Sequence, residues 1–533
     1  RQAAVTEADA QIGALIGKLP PDTTILLAGV SDVTPNAHLH VAIARGPSPD
    51  DRPYEHGFLT ATSTRQEALV TITDLTATAI RLLDLPAPRE VVGRPWQPGG
   101  QAPATPAETV RELADGDLAS QVLREVRGPF FTVLVTVQLL FYAFAALALR
   151  RRSTRDTTDP APTEDAPHVP EIQAFAGTSK LLRAVRIVAV VSGAIAVSTF
   201  LAQLVPWWTL PVPMLSVIVT IVGIAGLITA VAFAGPWRAH VLGPLTVVAA
   251  VTSLALLIDV MTGSKLQVNA VTGYEPVTGG RFYGFSNIAF AIYATGTVLG
   301  LAGVAQWLLD KGSSRVVVVT LCGLYGGFAV FADGWPSWGA DFGGVPAFVI
   351  GLAVFLILLS GRRVSVLRLL LVGLVGAVLV GGLSVFDWLR PETQRTHLGT
   401  FVQQVIDGQA WTVVWRKFSA MIGVTVGNWS LTLLSLVALA FLFLVLARPS
   451  RWGASALGQA YRLAPTLRAG LFGALTCAFV GFLMNDSGIA IPAMALTVAV
   501  PLTLAACLRA LRLATPTRPE PRSGPVAPTR SEA

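Results

Sequence analysis

The stretch GGRFYGFSN, residues 279–287, places an arginine, a tyrosine and an asparagine immediately before an apolar run that begins at Ile288. Two further polar stretches, DGWPSWGADFGG (333–344) and NDSG (485–488), lie at the ends of other apolar runs. A run of about 20 apolar residues is long enough to cross a bilayer. Polar motifs at the ends of such runs predict a membrane protein in which these motifs form one site near one surface.

The composition favours a membrane protein over a soluble one. Of the 533 residues, 53% are hydrophobic and 13% are charged, and the mean hydropathy is +0.60. A soluble domain carries about 25% charged residues. Nearly all long apolar runs lie in residues 128–512, whereas residues 1–127 have a soluble composition. Basic residues in cytoplasmic loops explain the net charge of +7, so we expect no nucleic-acid partner.

The lengths of the apolar runs predict the fold class. We expect a mainly α protein, a polytopic transmembrane helical bundle of about eleven spans with a partial α/β extracytoplasmic N-terminal domain. The runs lie near residues 130–149, 187–205, 213–235, 242–262, 288–308, 316–333, 343–360, 365–387, 429–447, 469–485 and 489–508. The predicted segments are the partial α/β domain (1–97), a linker and short helix (98–127), the first span (128–150), a disordered cytoplasmic linker (151–182), the polytopic domain (183–512) and a disordered cytoplasmic tail (513–533).

Basic residues predict the orientation of the spans. The sequence RRRSTR, residues 150–155, follows the first apolar run, and cytoplasmic loops carry an excess of lysine and arginine. Residues 1–127 are therefore expected outside the cell membrane and the C-terminus inside. Alternation of the later spans then assigns most basic loop residues to the cytoplasm. We expect a multi-pass protein of the cell membrane.

The N-terminal region shows the pattern strand, strand, helix. TILLAGV (24–30) and HLHVAIA (38–44) are apolar runs of strand length, and residues 74–85 have apolar positions at helical spacing. This order is typical of the end of an α/β domain.

Four segments of this region, AGVSD, IARGP, TATSTRQEALVTITDLTATAIRLLDLP and GRPW, resemble the C-terminal part of the alkaline-phosphatase/sulfatase-like superfamily over residues 24–96. The resemblance implies a divalent metal cofactor, a metal ligand at Asp32, and a nucleophile with further metal carboxylates upstream of Arg1. Val33 replaces the histidine that follows this aspartate in the superfamily, so we expect a degenerate phosphatase-like domain. Asp32 as an ordinary surface carboxylate is the alternative, with His38, His40 and His56 as ordinary loop histidines.

Polar residues at the predicted outer ends of the spans are the candidate binding residues. Arginine holds phosphate well, and aspartate binds divalent cations or acts as a general base. The alternative is that these residues only cap or pair helix ends, as polar loop residues do in many membrane proteins. The candidates are Arg281, Tyr283, Asn287, Asp333, Asp341, Arg395, His397, Asn485 and Asp486.

The motif order GRFYGFSN, GADFGG, RTHLG, WRK and NDSG resembles a family of polytopic bacterial integral membrane proteins, and the composition has an actinobacterial character. The resemblance covers about residues 265–500. It implies that the motifs belong together, and it implies no activity.

Three functions remain open from the sequence. The first is a cell-envelope protein that handles a lipid-linked phosphate or glycan substrate in an outer pocket, with membrane lipids as its partners. The second is a transporter or flippase, although the runs carry no charge near their centres. The third is a non-catalytic scaffold or sensor, and the sequence does not decide whether the protein is an enzyme.

Overall fold

Helices dominate the computed structural model, which describes residues 2–32, 36–50, 52–88, 91–158, 169–278, 282–391, 395–427, 432 and 455–514. Eight of the described helices are long and apolar enough to cross a membrane. These stretches are Lys180–Leu204, Pro213–Ala234, Gly243–Met261, Asn287–Asp310, Arg315–Gly334, Val366–Trp388, Thr466–Met484 and Ala490–Leu513. The prediction of a mainly α chain is confirmed, and the helices are those of a multi-pass membrane protein.

The described residues do not confirm the expected number of about eleven spans. The run near 343–360 forms Gly344–Leu359, which is apolar but shorter than the eight. The run near 130–149 lies within one long helix, Pro106–Thr158. The run near 429–447 lies outside the described residues apart from position 432.

The helices are numbered here in chain order. They are α1 Gln2–Ile16, α2 Ile72–Leu82, α3 Pro106–Thr158, α4 Val169–Leu201, α5 Pro213–Ala234, α6 Gly243–Met261, α7 Asn287–Asp310, α8 Arg315–Gly334, α9 Gly344–Leu359, α10 Val366–Trp388, α11 His397–Ile406, α12 Ala410–Gly427, α13 Ser455–Leu463, α14 Thr466–Met484 and α15 Ala490–Ala514. Short 3-10 helices cover Ala202–Leu204, Trp207–Thr209 and Pro236–Ala239.

Serine side chains define where three of the membrane helices begin. The hydroxyl of Ser286 accepts a hydrogen bond from the backbone N–H of Ala289 at 3.1 Å at the start of α7. Ser314 and Ser365 cap α8 and α10 in the same way. Each cap satisfies one backbone donor that the first helical turn leaves without a partner.

Helix α7 lies at the centre of the bundle and is almost fully buried. Helices α6, α8, α9, α14 and α15 surround it, and α9 packs along α14. Glycines allow this last approach: a Cβ added at Gly351 would lie 2.5 Å from Cys477 Cβ and 2.8 Å from Gly473 O. Helix packing in a membrane depends on such close contacts because lipid supplies no hydrophobic driving force between helices.

The N-terminal region forms small antiparallel sheets. Strands β1 (Ile25–Ala28), β2 (Ala42–Pro47) and β3 (Pro53–Tyr54) pair in that order. Strands β4 (Gly57–Thr60) and β5 (Gln97–Gln101) form a second pair. An α/β domain is not confirmed, because every strand pair among the described residues is antiparallel.

Three expected segments differ in detail. The second strand begins at Ala42 rather than at residue 38. The expected linker from residue 98 begins within β5, where ladder hydrogen bonds to β4 hold the Pro/Gly-rich chain extended. In the expected disordered linker 151–182, α3 continues to Thr158 and α4 begins at Val169, with 159–168 outside the described residues. The expected disordered tail is also outside them from residue 515 onward.

We expect Gly351→Ala to destabilise the bundle, whereas Gly381→Ala in α10 should not. The added methyl group at position 351 overlaps α14, and overpacking costs about 1–3 kcal/mol. No heavy atom lies within 4 Å of a Cβ added at Gly381, and alanine is a better helix former than glycine. Thermal unfolding of the purified protein in detergent measures the difference. Equal unfolding temperatures for the two variants would contradict the close packing of α9 on α14.

Candidate functional site

The GRFYGFSN and GADFGG stretches contact each other at one end of the bundle. The backbone N–H of Phe285 donates to Gly339 O at 2.8 Å. Gly284 has a φ of +72° and its Cα lies against the same carbonyl, so a side chain there would be strained and would clash. The loop after α8 folds back on itself, with Asp341 N donating to Asp333 O at 2.9 Å.

The GADFGG loop also contacts the NDSG loop. Asp341 Oδ1 accepts the N–H of Gly343 at 3.2 Å, and the Asn485 side chain lies directly against the Cα of Gly343. Asp341 and Asn485 are both buried. The absence of side chains at Gly343 and Gly344 therefore makes room for two polar groups at the start of α9.

Asn287 joins the start of α7 to the NDSG loop. Its Nδ2 donates to Asp486 Oδ1 at 2.7 Å and to Ser487 Oγ at 2.6 Å. Lys417 Nζ of α12 lies 4.0 Å from Asp486 Oδ2. Gly488, at φ +51°, packs against the backbone of Met421 in α12. The same loop thus holds α12 beside the bundle.

These loops form one side of a cleft of about 1980 Å³. The N-terminal region forms the opposite side with residues from 62–63, 77–88 and 91–95, including Arg81 and Arg94. Helices α11 and α12 supply a third side. The cleft thus lies between the N-terminal region and the helical bundle, and both contribute charged side chains to it.

Six of the nine predicted binding residues line this cleft. Asp333 does not line it and is fully buried at the end of α8. Arg281 lies outside the described residues, as does the side chain of His397, whose backbone begins α11. The six lining residues are Tyr283, Asn287, Asp341, Arg395, Asn485 and Asp486.

Asp387 organises the loop that carries Arg395. Its buried Oδ2 accepts hydrogen bonds from Thr396 N, Thr396 Oγ1 and Gly399 N at 2.7–2.8 Å. Arg395 Nε donates to Arg390 O at 3.0 Å, and its guanidinium lies 5.7 Å from the centre of the Trp388 ring. These contacts hold the Arg395 side chain in place at the edge of the cleft.

Two residues of the N-terminal region contact the bundle directly and were missed by the sequence reasoning. Gln66 Nε2 donates to Gly263 O at 2.9 Å and to Phe282 O at 2.8 Å. Arg65 Nη1 donates to Pro336 O at 2.6 Å, and its guanidinium lies 4.1 Å above the ring of Tyr283. These partners are about 200–270 residues away in the chain, so no local pattern could identify them.

Asp32 pairs with neighbouring groups. Its Oδ1 lies 3.3 Å from His40 Nε2 and accepts the N–H of His38 at 3.2 Å. Among the residues described, no group of three or more His, Cys, Asp or Glu side chains could hold a metal ion. These contacts are those of a structural carboxylate, and the metal role of Asp32 stays a prediction.

His38 connects the N-terminal region to α3 through Asp117. His38 Nδ1 lies 2.8 Å from Asp117 Oδ2, and the N–H of Leu39 donates to Asp117 Oδ1 at 2.8 Å. Burial raises the pKa of Asp117, but the hydrogen bonds from His38, Leu39 and Gln121 outweigh it and hold the pKa below its ordinary value of 3.8.

Comparisons with protein-family models, with curated proteins and with solved structures find no match to this chain.

We expect Asn287→Asp to destabilise the protein and an added Asp486→Asn to restore most of the loss. The first change places two carboxylates at hydrogen-bond distance, whereas the double change recreates one donor and one acceptor with their roles exchanged. Loss of a satisfied, half-buried pair costs about 1–3 kcal/mol. Thermal unfolding of both single variants and the double variant gives the coupling energy. If the effects of the two single changes on the unfolding free energy simply add in the double variant, the pair does not join α7 to the NDSG loop.

The depressed pKa of Asp117 predicts a pH dependence of stability. The pKa of Asp117 is lower in the folded than in the unfolded protein. The ionised carboxylate therefore stabilises the fold fully above pH 3.8, and this stabilisation is lost as the pH falls through the folded pKa. Asp117→Asn should therefore lower the unfolding temperature at neutral pH and flatten its decrease below pH 3.8. The same acid dependence in the variant and the wild type would contradict this assignment.

Proposed function

We propose that this chain is a membrane protein of the bacterial cell envelope that binds a lipid-linked, phosphate-bearing substrate in the cleft between its N-terminal region and its helical bundle. The observation that carries the proposal is that one part of the cleft lining carries arginines without an acidic partner among the described residues, whereas another part is apolar. A lipid phosphate has this same division, with an anionic head group and a hydrocarbon chain.

Five basic side chains line the cleft, and two of them lie beside an aspartate: Arg81 beside Asp84 and Lys417 beside Asp486. The other three are Arg94, Arg395 and Arg416. None of the three forms an ion pair with an acidic side chain of the described residues. Their guanidinium groups are suited to bind phosphate oxygens with paired N–H donors.

Each of the five acidic side chains that line the cleft has a partner. Asp84 lies 3.9 Å from Arg81, and Asp407 accepts from Gln403 Nε2 at 3.2 Å. Glu275 pairs with Arg124 at 3.2 Å and with Arg127 at 3.0 Å. Asp341 accepts the N–H of Gly343, and Asp486 accepts from Asn287 Nδ2. Because these carboxylates have partners, they repel an incoming anion less than free carboxylates would.

The apolar part lies where α12 meets the end of α14. Phe418 and Met421 of α12 and Leu483 and Met484 line the cleft there. The outer surface of α12 exposes Trp411 (73%) and Trp415 (57%). Exposed tryptophans beside basic residues are typical of a helix that lies in the membrane interface. A hydrocarbon chain can therefore pass from the lipid to the cleft along α12.

Basic residues support an extracytoplasmic position for the cleft. Lys311, Arg362 and Arg363 lie at the opposite end of the bundle, in the short connections after α7 and α9. An excess of such residues is characteristic of cytoplasmic loops. The cleft and the N-terminal region then face outward, and the C-terminus faces the cytoplasm of a multi-pass cell-membrane protein.

A binding role at one membrane surface fits the spans better than transport across the membrane. Charged residues of the eight spans lie near their ends, as Asp259, Asp333 and Asp387 do. Substrate and ion pathways in transporters place polar or ionisable groups near the midplane. The N-terminal region, a degenerate phosphatase-like unit in this proposal, serves as one wall of the cleft and holds the substrate rather than cleaving it.

The test is binding of a polyisoprenyl monophosphate by the purified full-length protein in detergent, compared with the polyisoprenol of equal length. We expect the double variant Arg395→Gln/Arg416→Gln to bind the phosphate about tenfold or more weakly, because each lost charge-assisted hydrogen bond contributes about 1.5–3 kcal/mol.

The matched control is Arg45→Gln, an exposed arginine on β2 that does not line the cleft. It should bind like the wild type. Unchanged affinity in the double variant, or equal affinity of the wild type for the phosphate and the alcohol, would overturn the proposal.

A further inference from the structure

Four arginines form a cluster where α4 and α15 pack together, at the end of the bundle opposite the cleft. Arg183 and Arg186 belong to α4, and Arg509 and Arg512 belong to α15. Arg186 faces the positive charges of Arg509 and Arg512, and Arg512 faces that of Arg183. Like charges that interact in this way destabilise a protein unless an anion compensates them.

Arg186 is the buried member of the cluster. It is only 7% exposed, and its guanidinium lies 5.0 Å from the centre of the Phe233 ring of α5. Its Nε and Nη2 atoms are buried and have no hydrogen-bond partner among the described residues. A buried guanidinium with unused donors is costly, since transfer out of water removes its hydration.

Hydrogen bonding to the carbonyl groups at a helix end does not explain why Arg186 is buried. Arg509 Nη2 donates to Ala239 O at 3.0 Å, as an arginine near carbonyl groups at a helix end is expected to do. Arg186 lies in the interior of α4 and forms no such bond. No ion pair joins Arg183, Arg186 or Arg509 to an acidic side chain in the described part of the chain.

The position of the cluster favours a lipid as the source of the anion. Arg186 is six residues inside the span that begins at Lys180, or roughly 9 Å along the helix, a depth near the head-group boundary. Leu181, Ile187 and Val188 are exposed on the same helix segment. Acyl chains can cover these side chains while the head group reaches the arginines.

We propose that this cluster binds the phosphate of an anionic phospholipid. The site is separate from the cleft and does not depend on the function proposed for it. It lies at the end that the basic loops place in the cytoplasm, where basic pockets between membrane helices are suited to anionic head groups. The lipid supplies the counter-charge that the described residues do not supply to Arg186.

The test measures the unfolding temperature of the purified full-length protein in detergent with added phosphatidylglycerol, phosphatidylcholine of the same acyl chains, or inorganic phosphate. A ligand that binds the folded state raises this temperature. We expect an increase with phosphatidylglycerol alone. The double variant Arg186→Gln/Arg509→Gln should lose the increase, with an affinity about tenfold or more lower, because the phosphate loses charge-assisted hydrogen bonds from two guanidinium groups.

The matched control is Arg362→Gln/Arg363→Gln, an exposed basic pair at the same end of the bundle, which should keep the increase. If the first variant does not fold, Arg183→Gln/Arg512→Gln changes the more exposed members of the cluster and should also reduce the increase. An equal increase with inorganic phosphate or phosphatidylcholine, an undiminished increase in the cluster variants, or an equal loss in the control would overturn the proposal.

Discussion

The side-chain amide of Asn287 is the contact on which the arrangement of the site depends. It begins the central helix α7 and donates to both Asp486 and Ser487 of the NDSG loop. That loop holds α12 through Lys417 and the backbone at Gly488. One pair of hydrogen bonds therefore connects the core of the bundle to the helix that lies at its edge.

Three buried aspartates of the bundle accept hydrogen bonds from backbone N–H groups. Asp259 accepts from Leu266 N and from the side chain of Gln267, Asp341 from Gly343 N, and Asp387 from Thr396 N. A buried carboxylate needs such donors because it has lost its hydration. The loops are thus built around carboxylates, while arginines from several elements remain at the cleft surface.

The N-terminal region forms one side of the cleft. Arg65 and Gln66 attach it to three carbonyl groups of the bundle, and His38 attaches it to α3 through Asp117. Because Arg65 also lies over the ring of Tyr283, a change at this contact alters the cleft lining directly. These contacts give the N-terminal region a structural role at the cleft.

The amino-acid sequence by itself determined the membrane character, the positions of most long helices and the polar motifs at their ends. Hydrophobic run length and polar end residues are local properties, so they can be read without a structure. Only the tertiary structure decided that Gly284 lies on Gly339, that Asn485 fills the space beside Gly343, and that Arg65 reaches Tyr283. These contacts join segments distant in the chain through packing and hydrogen bonds, and no spacing within one segment specifies them. Strand pairing also depends on contacts between distant segments, so the sequence pattern did not predict the antiparallel sheets.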